Sequence, residues 1–197
     1  MLYQLSERLC YHMRIIAGVA KGTRLKMVPG KHVRPTADRV KESLFQVIGP
    51  FFDGGWVLDL FAGTGALGLE ALSRGAERAI FVDQSRASLD IVRSNAEAAK
   101  LINHCEIHRR DARAALKLLQ QREAEFTIIF LDPPYHEELL VPVLKQIAEA
   151  GLLAEEGVIV AEHPSRYDLP ESIGSIVQFR QLSYGDTTIT LYCQHDK

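Results

Sequence analysis

The chain has only three cysteines in 197 residues, Cys10, Cys105 and Cys193, and no two of them share a pairing distance. That scarcity predicts neither a disulfide framework nor a thiolate zinc site, and leaves the thiols as packed or surface groups. Long apolar runs are missing too. A stretch such as Phe126 to Leu131 is far too short for a bilayer, and the first dozen residues lack an apolar run after a basic start. No membrane association and cytoplasmic residence are therefore expected. Of the seven histidines only His104 and His108 stand four apart, at the predicted strand 105–108 rather than on a helix, so no metal is expected, and His136 and His163 read as rim or capping residues. Ser165 and Ser183 lack the elbow of a nucleophilic serine. There is no internal repeat and no low-complexity tract. With 47% hydrophobic and 24% charged residues, the composition is that of a folded globular chain rather than a disordered one. The length suits one sizeable core with at most a small appendage.

Net charge is also small, at −2, which by itself speaks mildly against a nucleic-acid partner, but the charge is unevenly placed. From Arg14 to Pro50, eight basic residues stand against two acids, a balance of +6, whereas Phe51 to Lys197 carries −8. A basic segment on an acidic body suits contact with phosphate. Arg14, Lys21, Arg24, Arg34 and Arg39 are the candidate contacts, and a solvated basic face is the plainer alternative.

Three stretches follow from the pattern. Residues 1–12 show no periodicity and read as a flexible extension before a natural beginning at Met13. Residues 13–50 read as a small basic hairpin around Gly18 and Gly22, closed by Pro29-Gly30, and then a helix introduced by Pro35-Thr36. That helix has Val40, Leu44, Val47 and Ile48 on one face and Arg39 and Lys41 on the other. Residues 51–197 alternate apolar strands (57–61, 79–82, 105–108, 126–131, 158–161) with helical stretches (67–73, 86–100, 112–121, 138–150). In the last helix Leu139, Leu140, Val143, Leu144 and Ile147 form one apolar face. Strands separated by such helices predict an α/β, Rossmann-like fold with a mainly parallel, doubly wound sheet. Strands 176–182 and 187–193, joined through Tyr184-Gly185-Asp186, predict a C-terminal antiparallel hairpin.

At the first strand-to-helix junction, Gly63, Gly65 and Gly68 satisfy G-x-G-x-x-G within Asp59-Leu60-Phe61-Ala62-Gly63-Thr64-Gly65-Ala66-Leu67-Gly68. Either a nicotinamide nucleotide or S-adenosylmethionine could use such a loop. The acids favour the methyl donor. Asp59 can accept from the ammonium of a methionine moiety, while a pyrophosphate gains nothing from a carboxylate there. Asp83, ending the second strand, can take both ribose hydroxyls of either cofactor, and Asp111, after the third, can accept from an adenine amino group. Asp59, Phe61, Gly63, Gly65, Asp83 and Asp111 form the candidate cofactor set. For each acid the alternative is a helix N-cap.

Downstream, Asp132-Pro133-Pro134-Tyr135 closes the apolar strand 126–131, at the edge where open α/β sheets bind ligands. An exocyclic amine of a base is a weak nucleophile because its lone pair is delocalised into the ring. If Asp132 and the Pro133 carbonyl accept its two N–H groups, the pyramidal nitrogen is favoured and its lone pair is aimed at a methyl donor. Tyr135 can stack on the base. No metal and no protein nucleophile are needed. Asp132, Pro133 and Tyr135 are the candidate catalytic residues, with a capped turn as the alternative.

Taken together, Arg14-Ile15-Ile16-Ala17-Gly18, Arg34-Pro35-Thr36, Asp38-Arg39-Val40-Lys41-Glu42-Ser43-Leu44-Phe45, the glycine loop and Leu131-Asp132-Pro133-Pro134-Tyr135 resemble the bacterial RsmD family of 16S ribosomal RNA guanine-N2 methyltransferases. The resemblance covers Met13 to about Tyr192. It implies methyl transfer from S-adenosylmethionine to the N2 of one guanine in 16S rRNA, with an assembled or assembling 30S subunit as partner. It further implies that Asp59, Gly63 and Gly65 bind the methionine end, Asp83 the ribose, Asp111 the adenine, and Asp132 with Tyr135 the base. Arg34-Pro35-Thr36 and Arg39 would close over the cofactor or guide RNA. The family's second-strand acid is often Glu, so Asp83 shortens that reach. Amino methylation of another RNA, of DNA or of a protein glutamine is the competing enzyme reading. A nicotinamide oxidoreductase and a non-catalytic RNA chaperone are the others.

Overall fold

The computed structural model describes residues 13–28, 38–133 and 139–195. Helix α1 spans Asp38–Ile48, and the elements that follow are β1 (Trp56–Asp59), α2 (Ala66–Ser73), β2 (Arg78–Asp83), α3 (Arg86–Ala98), β3 (Cys105–Arg109), α4 (Ala112–Gln121), β4 (Phe126–Leu131), α5 (Leu140–Ala150), β5 (Leu153–Pro164), β6 (Ser172–Ile173), β7 (Ile176–Tyr184) and β8 (Thr187–Gln194). The strands form one sheet in the order β3-β2-β1-β4-β5-β8-β7-β6. The first five are parallel and β8, β7 and β6 run antiparallel. The parallel sheet with its closing hairpin is thus the architecture that the alternation of strands and helices predicts.

Period-two alternation divides the core into two layers. Val57, Phe81, Ile128, Phe130, Val160, Ile189 and Leu191 face one side, under α1, α2 and α3, while Leu58, Ile80, Ile129, Leu131, Ile159 and Tyr192 face the other, under α4 and α5. Apolar residues on both sides of β4 explain why it reads as an unbroken run, and burying each such side chain is worth roughly 1.5–3 kcal/mol. Thr127 is its exception: half-buried, it donates its hydroxyl to the Trp56 carbonyl at 3.1 Å.

Three segments differ from expectation. β5 begins five residues before 158–161, because Glu155, Glu156 and Gly157 interrupt its apolar signal without interrupting its pairing. The basic hairpin is a turn with one antiparallel bridge, Arg14 to Arg24. Ile15, Gly22 and Leu25 donate across it to the carbonyls of Thr23, Ile15 and Met13, while the donors of its tip go to α2: Ile16 and Ala17 to the Glu70 carboxylate, Val19 to the Ser73 carbonyl and Ala20 to the Ser73 hydroxyl. Gly18, at φ 82°, touches α2 so closely that a Cβ would lie 1.7 Å from the Ser73 carbonyl oxygen.

Lys41 is the third. It lies not on a solvated face of α1 but 1% exposed, 3.6 Å from Glu70, with its ammonium donating to the Arg14 carbonyl. Arg74, also buried, donates to Glu70 at 2.8 Å and to the Pro50 carbonyl at 2.9 Å, and stacks 4.5 Å from the Phe45 ring centroid. Glu70 thus joins α1, α2 and the 13–28 segment into one layer. Burial pulls the Lys41 ammonium below its usual value, against the nearby Glu70 and Asp38 charges.

Candidate functional site

The carboxyl ends of β2, β1, β4 and β5 place Asp83, Asp59, Asp132 and Glu162 in a row. Their positions continue the alternation of Phe81, Val57, Phe130 and Val160, so all four belong to the side covered by α1, α2 and α3. Sheet order and charge agree: Asp59 feels both Asp132 and Asp83, and Glu162 feels Asp132.

Asp59 is 5% exposed, and one of its oxygens accepts the Gly68 N–H at 3.2 Å. Burial, opposed in part by that bond and reinforced by Asp132 and Asp83, pushes its carboxyl up to about 7. Gly68 is needed here for space, since a Cβ would meet Phe81 at 2.4 Å. Gly63 and Gly65 take φ 52° and 76°, the left-handed turn that ends β1 and starts α2. Phe61, half-buried, packs against the opposite core layer.

Asp83 braces the loop, accepting the Gly63 N–H at 2.9 Å and the Ser85 N–H at 2.7 Å. Two lone-pair positions remain for hydroxyl donors. Asp111 is exposed and caps α4 through the N–H groups of Arg113 and Ala114, at 3.0 and 3.2 Å. Its other oxygen accepts the Gln84 side-chain amide at 2.8 Å, which connects it to the residue after Asp83. Its local role is therefore the N-cap named as its alternative.

Asp132 reaches solvent at the sheet edge, and the protein mass behind it raises its carboxyl pKa. Tyr135 and Arg34 lie outside the described residues, as do Pro134, Pro35 and Thr36. Among the basic candidates Arg14, Lys21, Arg24 and Arg39 are all exposed, but Arg14 is paired with Asp38 at 2.9 Å. His163 is buried, bonded to Thr190 at 2.8 Å, which makes it a core residue. Burial pushes the Cys105 thiol up to about 12, leaving it unreactive.

Sequence reasoning missed Glu162. Its signal was an acid at the carboxyl end of a parallel strand, the same signal that singled out Asp83, and it lay one residue past the predicted end of that strand. Gln84 was missed as well, because a neutral amide in a βα turn carries no distinguishing pattern.

A row of four acids with no cation among them within the described residues suits a positively charged ligand. The family model described as Conserved hypothetical protein 95 matches residues 13–193. The chain belongs to this family. It is the RsmD family that the motifs resemble. YlbH of Bacillus subtilis strain 168 is 49% identical over 180 residues, which are 91% of this chain and 98% of YlbH. Ribosomal RNA small subunit methyltransferase D of Escherichia coli K12 is 33% identical over 180 residues, 91% of this chain and 89% of that protein. The solved structure of Escherichia coli yhhF superposes with a TM-score of 0.80 at 32% identity, covering 93% of this chain and 98% of its own.

Proposed function

We propose that the chain transfers a methyl group from S-adenosylmethionine to the exocyclic N2 of a guanine in 16S rRNA, within an assembled or assembling small subunit in the cytoplasm. The observation that carries the reading is the pairing, on one sheet edge, of a glycine loop backed by the buried Asp59, which has no cationic partner among the described residues, with the Asp132-Pro133 strand end one strand away. The Escherichia coli relative, named for methylation of small-subunit rRNA, supports the substrate class.

The chain's residues fit the cofactor. Asp59 keeps an unused carboxylate oxygen for the ammonium of the methionine end, and Asp83 keeps two acceptor positions for the ribose. Left-handed Gly63 and Gly65 let the backbone approach without side-chain interference. When bound, S-adenosylmethionine supplies the electrophilic methyl carbon. Asp132 and the Pro133 carbonyl accept the amine's hydrogens, hold its lone pair toward that carbon and favour the charge that develops on nitrogen. Tyr135 is the stacking surface for the base. Exposed Lys21, Arg24 and Arg39 contribute phosphate contacts.

The test is incorporation of labelled methyl from S-adenosylmethionine into undermethylated small subunits. Asp132→Ala is expected to reduce kcat by about a thousandfold, the size associated with losing an oriented polar group in a transition state. Unchanged incorporation would sink the mechanism. Label appearing on DNA, on another RNA or on protein, with none on small subunits, would favour the other amino acceptors.

A further inference from the structure

The four strand-end acids are not equally occupied. Asp83 is tied to the glycine loop and Asp59 to the start of α2. Asp132 and Glu162 make no hydrogen bond and no ion pair among the described residues. They stand next to each other, since Leu131 of β4 pairs with Ala161 of β5 and each acid is the next residue along its strand. Alternation turns both to the same face. Pro133 follows Asp132; its nitrogen has no hydrogen to donate and its carbonyl can only accept.

Two adjacent carboxylates repel each other where no donor among the described residues stands between them. Burial, and after it the Asp132 charge, raise the Glu162 pKa, so the free protein bears that cost. A ligand that brings several N–H donors in a row removes it. Guanine has such an edge: the two hydrogens of its exocyclic amine lie beside the hydrogen on N1. Adenine differs, because its amine lies beside a bare N1 lone pair.

We propose that Glu162 is a specificity-determining residue of the target pocket, its carboxylate accepting the N1–H of guanine while Asp132 and the Pro133 carbonyl accept the two hydrogens of N2. The inference rests on the methyltransferase reading above and adds the choice of base. It gives this strand-end carboxylate a function that the cofactor cannot, since Asp59 and Asp83 lie on the cofactor side of Asp132 in the sheet order. A base with an amine but no N1–H would set its lone pair against the Glu162 carboxylate.

The discriminating substrate is 2-aminopurine, which keeps the amine at C2 and lacks the hydrogen on N1. Small subunits would be reconstituted with guanine or 2-aminopurine at the nucleotide that the wild-type protein methylates, and kcat/KM measured for each at a pH of about 9, above the value of about 8 to which burial and the Asp132 charge push Glu162, so that its carboxyl is ionised and cannot donate to the bare N1. A site built to accept a hydrogen bond rejects an analogue without the donor strongly, so the wild-type protein should prefer guanine by at least about a hundredfold. Glu162→Gln is nearly isosteric, and its amide can turn to donate to the bare N1. Its preference should fall to roughly tenfold or less, mainly because 2-aminopurine improves. Glu162→Asp keeps a carboxylate and should keep the preference while lowering kcat on guanine, which provides a second reading if the glutamine variant folds poorly. An unchanged ratio in a folded Glu162→Gln protein would overturn the inference and leave the methyltransferase reading intact. Absence of label from wild-type protein with every RNA would overturn both.

Discussion

Glu70 and Asp59 are both buried acids within the first βα unit, and their surroundings are opposite. Glu70 is met by the Lys41 ammonium, the Arg74 guanidinium and the backbone N–H groups of Ile16 and Ala17. Asp59 has one N–H, from Gly68, and two further acids nearby, Asp83 and Asp132. The first arrangement is closed: charge and hydrogen-bonding capacity are matched inside the protein, and the result is attachment of the N-terminal segment to α1 and α2. The second is open, with negative charge held away from water and left for a ligand to match. Matched burial marks structure, and unmatched burial at a sheet edge marks a site.

Removing the centre of the matched group should have the largest effect. Glu70→Ala leaves two buried cations and two N–H groups without their acceptor, and breaking a buried pair in this way costs about 3–5 kcal/mol. Urea unfolding is expected to show that loss, and proteolysis should cut first within residues 13–28, whose backbone depends on Glu70 and Ser73. A loss below about 1 kcal/mol, the range of exposed pairs, would contradict the closed reading of this group.

The open group should respond in the opposite direction. Asp59→Asn removes a buried charge that has no counter-ion among the described residues, so the free protein should gain roughly 1–2 kcal/mol at a pH of about 8, while affinity for S-adenosylmethionine falls at least about thirtyfold. The sign follows from the pKa. With its folded value at about 7 against 3.8 for an ordinary aspartate, the wild-type carboxyl binds its proton more tightly when folded. Its favourable contribution is therefore complete below about pH 4 and is lost as pH rises through about 7. Unfolding of both proteins across that range should show the advantage of Asp59→Asn vanishing in acid. An advantage independent of pH would mean that something other than ionisation causes it. Bound S-adenosylmethionine should narrow the gap at neutral pH, because the cation it brings favours the charged wild-type group.

Most of the fold was legible because both its periods are strong. β4 is apolar on both sides apart from Thr127, and its predicted limits agree with those observed. β5 was cut short because Gly157 and two glutamates hide a strand whose backbone pairing does not depend on them. The glycine loop and the row of Asp59, Asp83 and Asp132 were legible for a similar reason: both are local signals. Lys41 and Glu162 were not. Whether Lys41 faces water depends on an acid 29 residues away in α2, and whether Glu162 borders Asp132 depends on the register of β4 on β5. Neither fact has a trace in the neighbouring residues, so charge type misassigned the first and a short strand end concealed the second.

Lys41 also shows which of the basic residues in the N-terminal stretch are exposed for the proposed RNA contact, and this sets the smallest and most selective test. Lys21 and Arg24 are exposed, whereas Lys41 is committed to Glu70. Replacing Lys21 and Arg24 together with alanine should weaken binding to small subunits several-fold and reduce the slope of log affinity against log salt by roughly one to two, without changing the melting temperature. Lys41→Met should do the reverse, lowering the melting temperature while leaving the salt slope of the folded fraction unchanged. The two effects separate because a phosphate contact releases counter-ions and a buried ion pair does not. If Lys41→Met reduced the slope as much as the surface pair, its charge would have to reach the RNA, and the division between a closed structural group and an exposed binding surface would fail on this residue.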